Sequence, residues 1–364
     1  MQRVRIKVSA TAGIALAAAL SVAACSSSGS SSGSSSASPS SSSSSAAAKL
    51  SGSLTGSGST FQTVYQQSAI QAFKTIQPNM TVNYGAGGSG KGRTDLASGV
   101  VNFAGSDSAI PTTEASSFKK TVLYFPVVIG PITLAYNLSG VTNLKLTAPV
   151  IAQIFGGKIT NWNNSAITAL NPGVTLPSTA ITTAVRSDSS GTTQNFSLYL
   201  QKAAASDWTL GSSSTIKWPS TARAGSGNAG VAQIIKSTPG AIGYVDYADA
   251  KASGLTFAEV KNSAGSYVAA SPAAASVSAA GVTVASNLTF HAIDGSGAGA
   301  YPITYQSWVL VYAAQPSSND AAMLKAYLGY LLGAGQKTLT SLGYAPLPAN
   351  IDSQAVAQLS KITS

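Results

Sequence analysis

Arg186-Ser187-Asp188-Ser189-Ser190-Gly191-Thr192-Thr193 places a guanidinium, a carboxylate, five hydroxyls and a glycine within eight residues. Tyr199 and Leu200 follow Phe196 by three and four residues, the apolar face of a starting helix. This layout suits an oxyanion. N–H groups at a helix N-terminus, short hydroxyls beside them and one Arg fork can converge on a tetrahedral anion. A plain Ser/Asp N-cap beside a surface arginine fits the same eight residues. The rest of the chain decides between the two.

Two more loops of the same kind precede it. Leu54-Thr55-Gly56-Ser57-Gly58-Ser59-Thr60-Phe61 delivers Ser and Thr to an amphipathic pattern over Phe61, Val64, Tyr65, Ala69 and Phe73. Met80-Thr81-Val82-Asn83-Tyr84 predicts a strand, followed by Gly85-Ala86-Gly87-Gly88-Ser89-Gly90-Lys91-Gly92. That run nearly matches a nucleotide phosphate loop, but Gly92 stands where a magnesium-binding hydroxyl belongs. What survives is a backbone nest with Ser89 able to face an anion. A short strand over Val101–Ala104 then ends in Gly105-Ser106-Asp107-Ser108.

The 364 residues carry 21 Lys and Arg against 11 Asp and Glu, one histidine and one cysteine. Arg3, Arg5 and Lys7 precede an apolar run from about Ala10 to Ala24, the pattern of a signal peptide over 1–24. Val22-Ala23-Ala24-Cys25 resembles a bacterial lipobox, which makes Cys25 the expected site of lipidation and removes any disulfide framework. Sixteen of the twenty residues from Ser26 to Ser45 are Ser, so 25–49 is expected to be a lipidated cysteine and an unfolded tether. Past Cys25, 18 basic residues face 11 acidic ones, a mild positive field that favours anions. No dense basic cluster interleaved with aromatics points to nucleic acid.

The chain from about Leu54 onward resembles the phosphate-binding subunit of bacterial phosphate ABC transporters. The resemblance rests on Gly58-Ser59-Thr60-Phe61, Tyr84 through Ser89, Phe103 through Asp107, Phe125 through Gly130, Gly157 through Trp162, Arg186 through Thr192, and Pro239 through Val245, in that order. It implies an α/β, two-lobed periplasmic-binding-protein fold (type II-like) with a ligand cleft between lobes. Lobe one is expected over 50–134 plus 298–364 and lobe two over 135–297. The family's phosphate contacts fall on Thr60, Phe61, Ser89, Asp107, Arg186, Ser190, Gly191 and Thr192, with Asp188 orienting the arginine. Ser189 stands where the family often has glycine, which asks whether that turn needs positive φ. The resemblance also implies inorganic phosphate as ligand, an ABC permease as partner, and an extracytoplasmic monomer held to the cell membrane through Cys25, with no cofactor or metal.

Chemistry gives Asp107 a purpose within such a site. Phosphate near neutral pH keeps at least one proton, which an ionised carboxylate can accept, whereas sulfate has none to offer. Burying sulfate against Asp107 would leave two repelling anions. Asp107 as an ordinary N-cap is the competing reading.

Scaffold signals complete the chain. Ile132–Asn137 predicts a strand crossing between lobes, Thr147 and Pro149 open a helix closed by Gly156-Gly157, and Trp308–Tyr312 predicts a returning strand. A final helix is expected from Ser318, with Leu324, Tyr327, Leu328, Leu331 and Leu332 on one face; residues 263–288 carry no readable pattern. Trp162, Trp208 and Trp218 lack the polar neighbours that would orient a sugar and are expected to pack. His291 has no partnering Gly-x-Ser-x-Gly elbow, paired carboxylates or Cys/His cluster, so an enzyme is not expected.

Overall fold

The computed structural model describes residues 49–364; the apolar leader, Cys25 and the Ser-rich stretch lie outside them. The chain opens with β1 (Gly52–Gly58), α1 (Thr63–Ile76), β2 (Met80–Ala86), α2 (Ser89–Ala97) and β3 (Phe103–Ser106). β1 lies between β2 and β3 and is parallel to both. Their carboxyl ends, and the helix starts that follow β1 and β2, therefore share one side of the sheet.

The strand β4 (Val122–Tyr136) leads to β5 (Lys145–Leu146), α3 (Ala148–Phe155), α4 (Ser165–Thr168), β6 (Thr182–Arg186), α5 (Gly191–Ala203) and β7 (Arg223–Gly225). Next come α6 (Gly227–Ser237), β8 (Ala241–Asp246), α7 (Tyr247–Ala252), β9 (Thr256–Phe257), β10 (Glu259–Lys261), β11 (Tyr267–Val268) and α8 (Pro272–Ala279). β12 (Thr304–Tyr312), α9 (Ser318–Leu332) and α10 (Ala349–Gln358) close the chain. The main sheet runs β2-β1-β3-β12-β4-β8-β6-β7, with β9 beside β4; β11-β10-β5 form a small second sheet.

β4 joins the two sides of this sheet. Its residues Val122 to Pro131 pair with β12, and Ile132 to Tyr136 pair with β8. Every residue after Val122 is buried, which explains a nearly continuous apolar strand without alternation. The expected strand over 132–137 is thus only its second half. Pro126 and Pro131 hid the first half, because proline cannot donate to a ladder and seldom occupies a central strand. Here Pro126 sits where the register slips between Ser307 and Trp308, and Pro131 where β4 changes partner. The missing N–H groups fall where pairing is already interrupted.

Two other expectations need correction. Residues 263–288 contain β11 and α8, whose N-cap Ser271 accepts from Ala274 N and whose Pro272 opens the first turn. α9 is not the final helix, since α10 follows it. α10 turns only Ile351, Ala355 and Gln358 inward, too weak a stripe to stand out in sequence, and Gln358 Nε2 donates to Tyr124 O at 2.7 Å. The tryptophans pack as expected: Trp162 donates from Nε1 to Gly240 O, and Trp208 and Trp218 join Phe155 and Tyr244 in an aromatic cluster. Among the described residues no helix is long and apolar enough to cross a membrane.

Candidate functional site: an anion cleft

On the β1 side, the turn between β1 and α1 carries Ser59, Thr60 and Phe61. The Phe61 ring is buried against Tyr305 and Tyr344, with centroids 4.2 and 5.1 Å away, so its side chain is an anchor. Only its main chain can serve a ligand. Ser89 begins α2 behind Gly88, whose φ is 90° and whose Cβ, if present, would stand 2.2 Å from Asp188 Oδ2. Glycine is needed there for both reasons. The run 85–92 is therefore no open phosphate loop: Gly85 and Ala86 finish β2, and Ser89 onward is helix. Lys91 faces solvent and pairs with Asp95 at 2.6 Å.

Asp107 follows β3 and is 1% exposed. Its Oδ1 accepts from Ser59 Oγ and Ser307 Oγ, each at 2.5 Å. Its Oδ2 receives only a longer contact from Ser89 Oγ, 3.3 Å, and faces Gly191. Burial raises the carboxyl's pKa, opposed by the Ser307 and Ser59 hydroxyls, then by the Arg186 charge and Ser89. One oxygen is tied down; the other looks into the site. Asp107 is also no helix cap here, because no helix begins at it.

On the opposite side, β6 ends at Arg186 and α5 starts at Gly191. Arg186 Nε and Nη2 donate to the two Asp188 carboxylate oxygens at 2.9 and 2.5 Å, and Nη1 donates to Thr192 Oγ1 at 3.3 Å. Gly227 N, at the start of α6, donates to Asp188 Oδ1 at 3.0 Å. Burial opposes the charge on both partners, yet the pair outweighs it: Arg186 is held above and Asp188 below its ordinary pKa. Such a bidentate fork has its orientation fixed before any ligand arrives. Ser190 Oγ accepts from Thr193 N as the α5 cap, leaving the first-turn N–H groups of Gly191 and Thr192 without intrahelical acceptors.

The two sides meet. Gly90 N donates to Ser189 O at 3.0 Å, Asn195 Nδ2 on α5 to Asp107 O at 2.7 Å, and Asn228 Nδ2 on α6 to Thr60 Oγ1 at 3.0 Å. Thr60, Asp188, Arg186, Thr192, Gly191, Ser89 and Asp107 are therefore linked through these contacts and their chain neighbours, with Phe61 and Ser190 in the supporting turns. Ser189 has no positive φ, since Leu288 and Asp294 are the only non-glycine residues described with one. Its main chain bonds to Gly90 and its hydroxyl to Ser214, so the turn works without glycine.

Ser307, Gln306, Asn195 and Asn228 were not legible as site residues. Gln306 Nε2 reaches both Asp107 O and Asn195 Oδ1, at 3.4 and 3.3 Å. The one sequence signal was Gln306-Ser307, a polar pair inside the otherwise apolar β12.

The sides also approach closely at Gly191. A Cβ there would lie 2.4 Å from Ser89 Oγ and 2.5 Å from Asp107 Cβ, below any ordinary contact. Gly191→Ala should leave each side folded, since alanine favours the helix, but force the two sides apart from the approach seen here. We expect binding of the cleft's anion to weaken about tenfold to a hundredfold, as misplaced donors do. Titration calorimetry checks this; affinity within about threefold of the parent would refute the close approach.

A sheet whose strands carry helix N-termini to one cleft, joined by a shared crossover strand, defines a two-lobed binding protein. Residues 43–334 match the model of a PBP superfamily domain. The chain is 35% identical over 321 residues to phosphate-binding protein PstS 3 of Mycobacterium tuberculosis, covering 83% of this chain and 84% of that one. It is 35% identical over 318 residues to phosphate-binding protein PstS of Xylella fastidiosa, covering 84% and 85%. Among solved structures it is similar to a high affinity periplasmic phosphate-binding protein bound with phosphate (PfluDING), at TM-score 0.70, 21% identity and coverage of 84% and 94%. The chain belongs to the PstS family of phosphate-binding proteins within the PBP superfamily.

Proposed function

We propose that this chain is an extracytoplasmic receptor that binds inorganic phosphate in the cleft and delivers it to an ABC-type permease. It acts by binding and release, not catalysis. Asp107 is the observation that carries the reading: a buried carboxylate with Oδ1 saturated by two hydroxyls and Oδ2 turned toward the α5 N-terminus. An acceptor so placed beside a cluster of donors suits an anion that brings its own proton.

In this reading Arg186 neutralises the ligand's charge, and Thr60, Phe61, Ser89, Ser190, Gly191 and Thr192 supply main-chain and hydroxyl donors. Asp188 holds the arginine. Lobe one is 50–134 plus 298–364 and lobe two 135–297, with β4 as a hinge strand. Each charge-assisted hydrogen bond contributes about 1.5–3 kcal/mol, so the set, less hinge and desolvation costs, supports micromolar or tighter binding. Acylation at Cys25 and the tether beyond it keep a monomeric receptor near the membrane.

The test is calorimetry on protein stripped of ligand. One-to-one phosphate binding without a sulfate response is the expected outcome. Sulfate binding of comparable strength would overturn the role of Asp107, and silence toward both would overturn the receptor for phosphate. Arsenate shares phosphate's shape and protonation and should compete.

A further inference from the structure

Three consecutive residues of β12 touch residues named for the site. Ser307 holds Asp107 Oδ1, and Gln306 bridges Asp107 O to Asn195. The first of the three, Tyr305, is 0% exposed and stacks on Phe61, yet its hydroxyl has no hydrogen-bond partner among the described residues. Burial followed by the charges of Asp107 and Asp246 raises its pKa well above the ordinary value, against a smaller pull from the Thr192 hydroxyl. Tyr305 is therefore a neutral phenol, able only to donate toward an anion, and the groups that act on it include Asp107 from one side and Thr192 from the other.

A buried hydroxyl left unpaired is costly, and proteins seldom retain one without a use. Phenylalanine would fill the same space and stack equally well on Phe61. We infer that the Tyr305 hydroxyl is a further donor to the bound oxyanion, contributed by the strand that runs beside the β4 crossover. This rests on the phosphate-receptor reading. It adds a contact that neither helix N-termini nor Arg186 provide, from an element that belongs to neither of the two facing loops. The rival partners are the Thr192 hydroxyl, which already pulls on the phenol, and Asp246, whose Oδ1 caps α7 while its Oδ2 is also unpaired among the described residues.

Tyr305→Phe separates these. In the full-length protein stripped of ligand, phosphate affinity by calorimetry should fall about ten- to a hundredfold, the loss of one hydrogen bond to a charged group. The thermal midpoint without ligand should hold or rise, because an unpaired polar atom has been removed. In the parent protein labelled with ¹³C at tyrosine Cζ, the Tyr305 resonance should move on adding phosphate. Unchanged affinity in a folded variant overturns the inference, and a lowered ligand-free midpoint with unchanged affinity assigns the hydroxyl to a partner within the protein, Thr192 or Asp246. If the parent itself ignores phosphate, the receptor reading fails first; if it binds and the variant binds equally, only the Tyr305 contact fails.

Discussion

Arg186→Ala should weaken phosphate binding by about a thousandfold, some 4 kcal/mol, the scale for truncating one partner of a buried charge pair that also meets a ligand. Three effects add. The anion loses its fork, Thr192 loses the donor on its hydroxyl, and Asp188 becomes an uncompensated carboxylate beside the cleft. Arg186→Lys should recover little, since a point charge cannot span both Asp188 oxygens and the ligand. Calorimetry with phosphate measures the loss; affinity within about tenfold of the parent would show that Arg186 serves the fold alone.

The same variant carries a pH signature. Asp188 is held below its ordinary pKa by Arg186 and Gly227 N–H. Its contribution to stability is therefore present above the unfolded-state pKa, about 3.9 for an aspartate, and is lost as pH falls through the lower folded-state value. Removing Arg186, the larger of these two causes, should remove most of that acid-side loss. Thermal midpoints of parent and variant should thus converge as the pH is lowered below about 4.

Asp107→Asn should collapse selectivity rather than binding alone. A buried carboxylate facing an unprotonated anion supports discrimination on the order of 10⁴, and an amide, uncharged and carrying donors, removes the repulsion. Phosphate should bind more weakly, sulfate measurably, and their ratio should fall to within about tenfold. An unchanged ratio would end the proton-sensing role.

Stability should move the other way. Burial raises the Asp107 pKa above its unfolded value, so the ligand-free protein loses stability as the pH rises from the unfolded value through the folded one, and the penalty is complete once the carboxylate is ionised in place. The amide of the Asp107→Asn variant would escape that penalty while its oxygen still accepts from Ser59 and Ser307. The ligand-free midpoint near neutral pH should therefore hold or rise as phosphate affinity falls. A site that is costly to the empty protein and satisfied by ligand is what a receptor requires.

The local chemistry of the cleft was legible because capping and turn residues act over a few positions. Ser190 and Thr193 close the α5 cap three residues apart, Arg186 and Asp188 form their fork two residues apart, and glycines mark where backbone comes close. Even so, the glycine run 85–92 reads in sequence as an open loop, since strand end and helix start share one small-residue composition. The crossover strand was half hidden by Pro126 and Pro131, whose meaning depended on the partners that β4 exchanges.

By itself, then, the sequence determined the proposed anion-binding groups and the helix starts that present them, since these depend on neighbours along the chain. Tertiary structure decided which oxygen of Asp107 is occupied, that Ser307 occupies it from 200 positions away, and that Asn228 meets Thr60 across 168. Those contacts arise where strand pairing brings distant segments together, and no spacing along the chain records a distance that only the folded sheet closes.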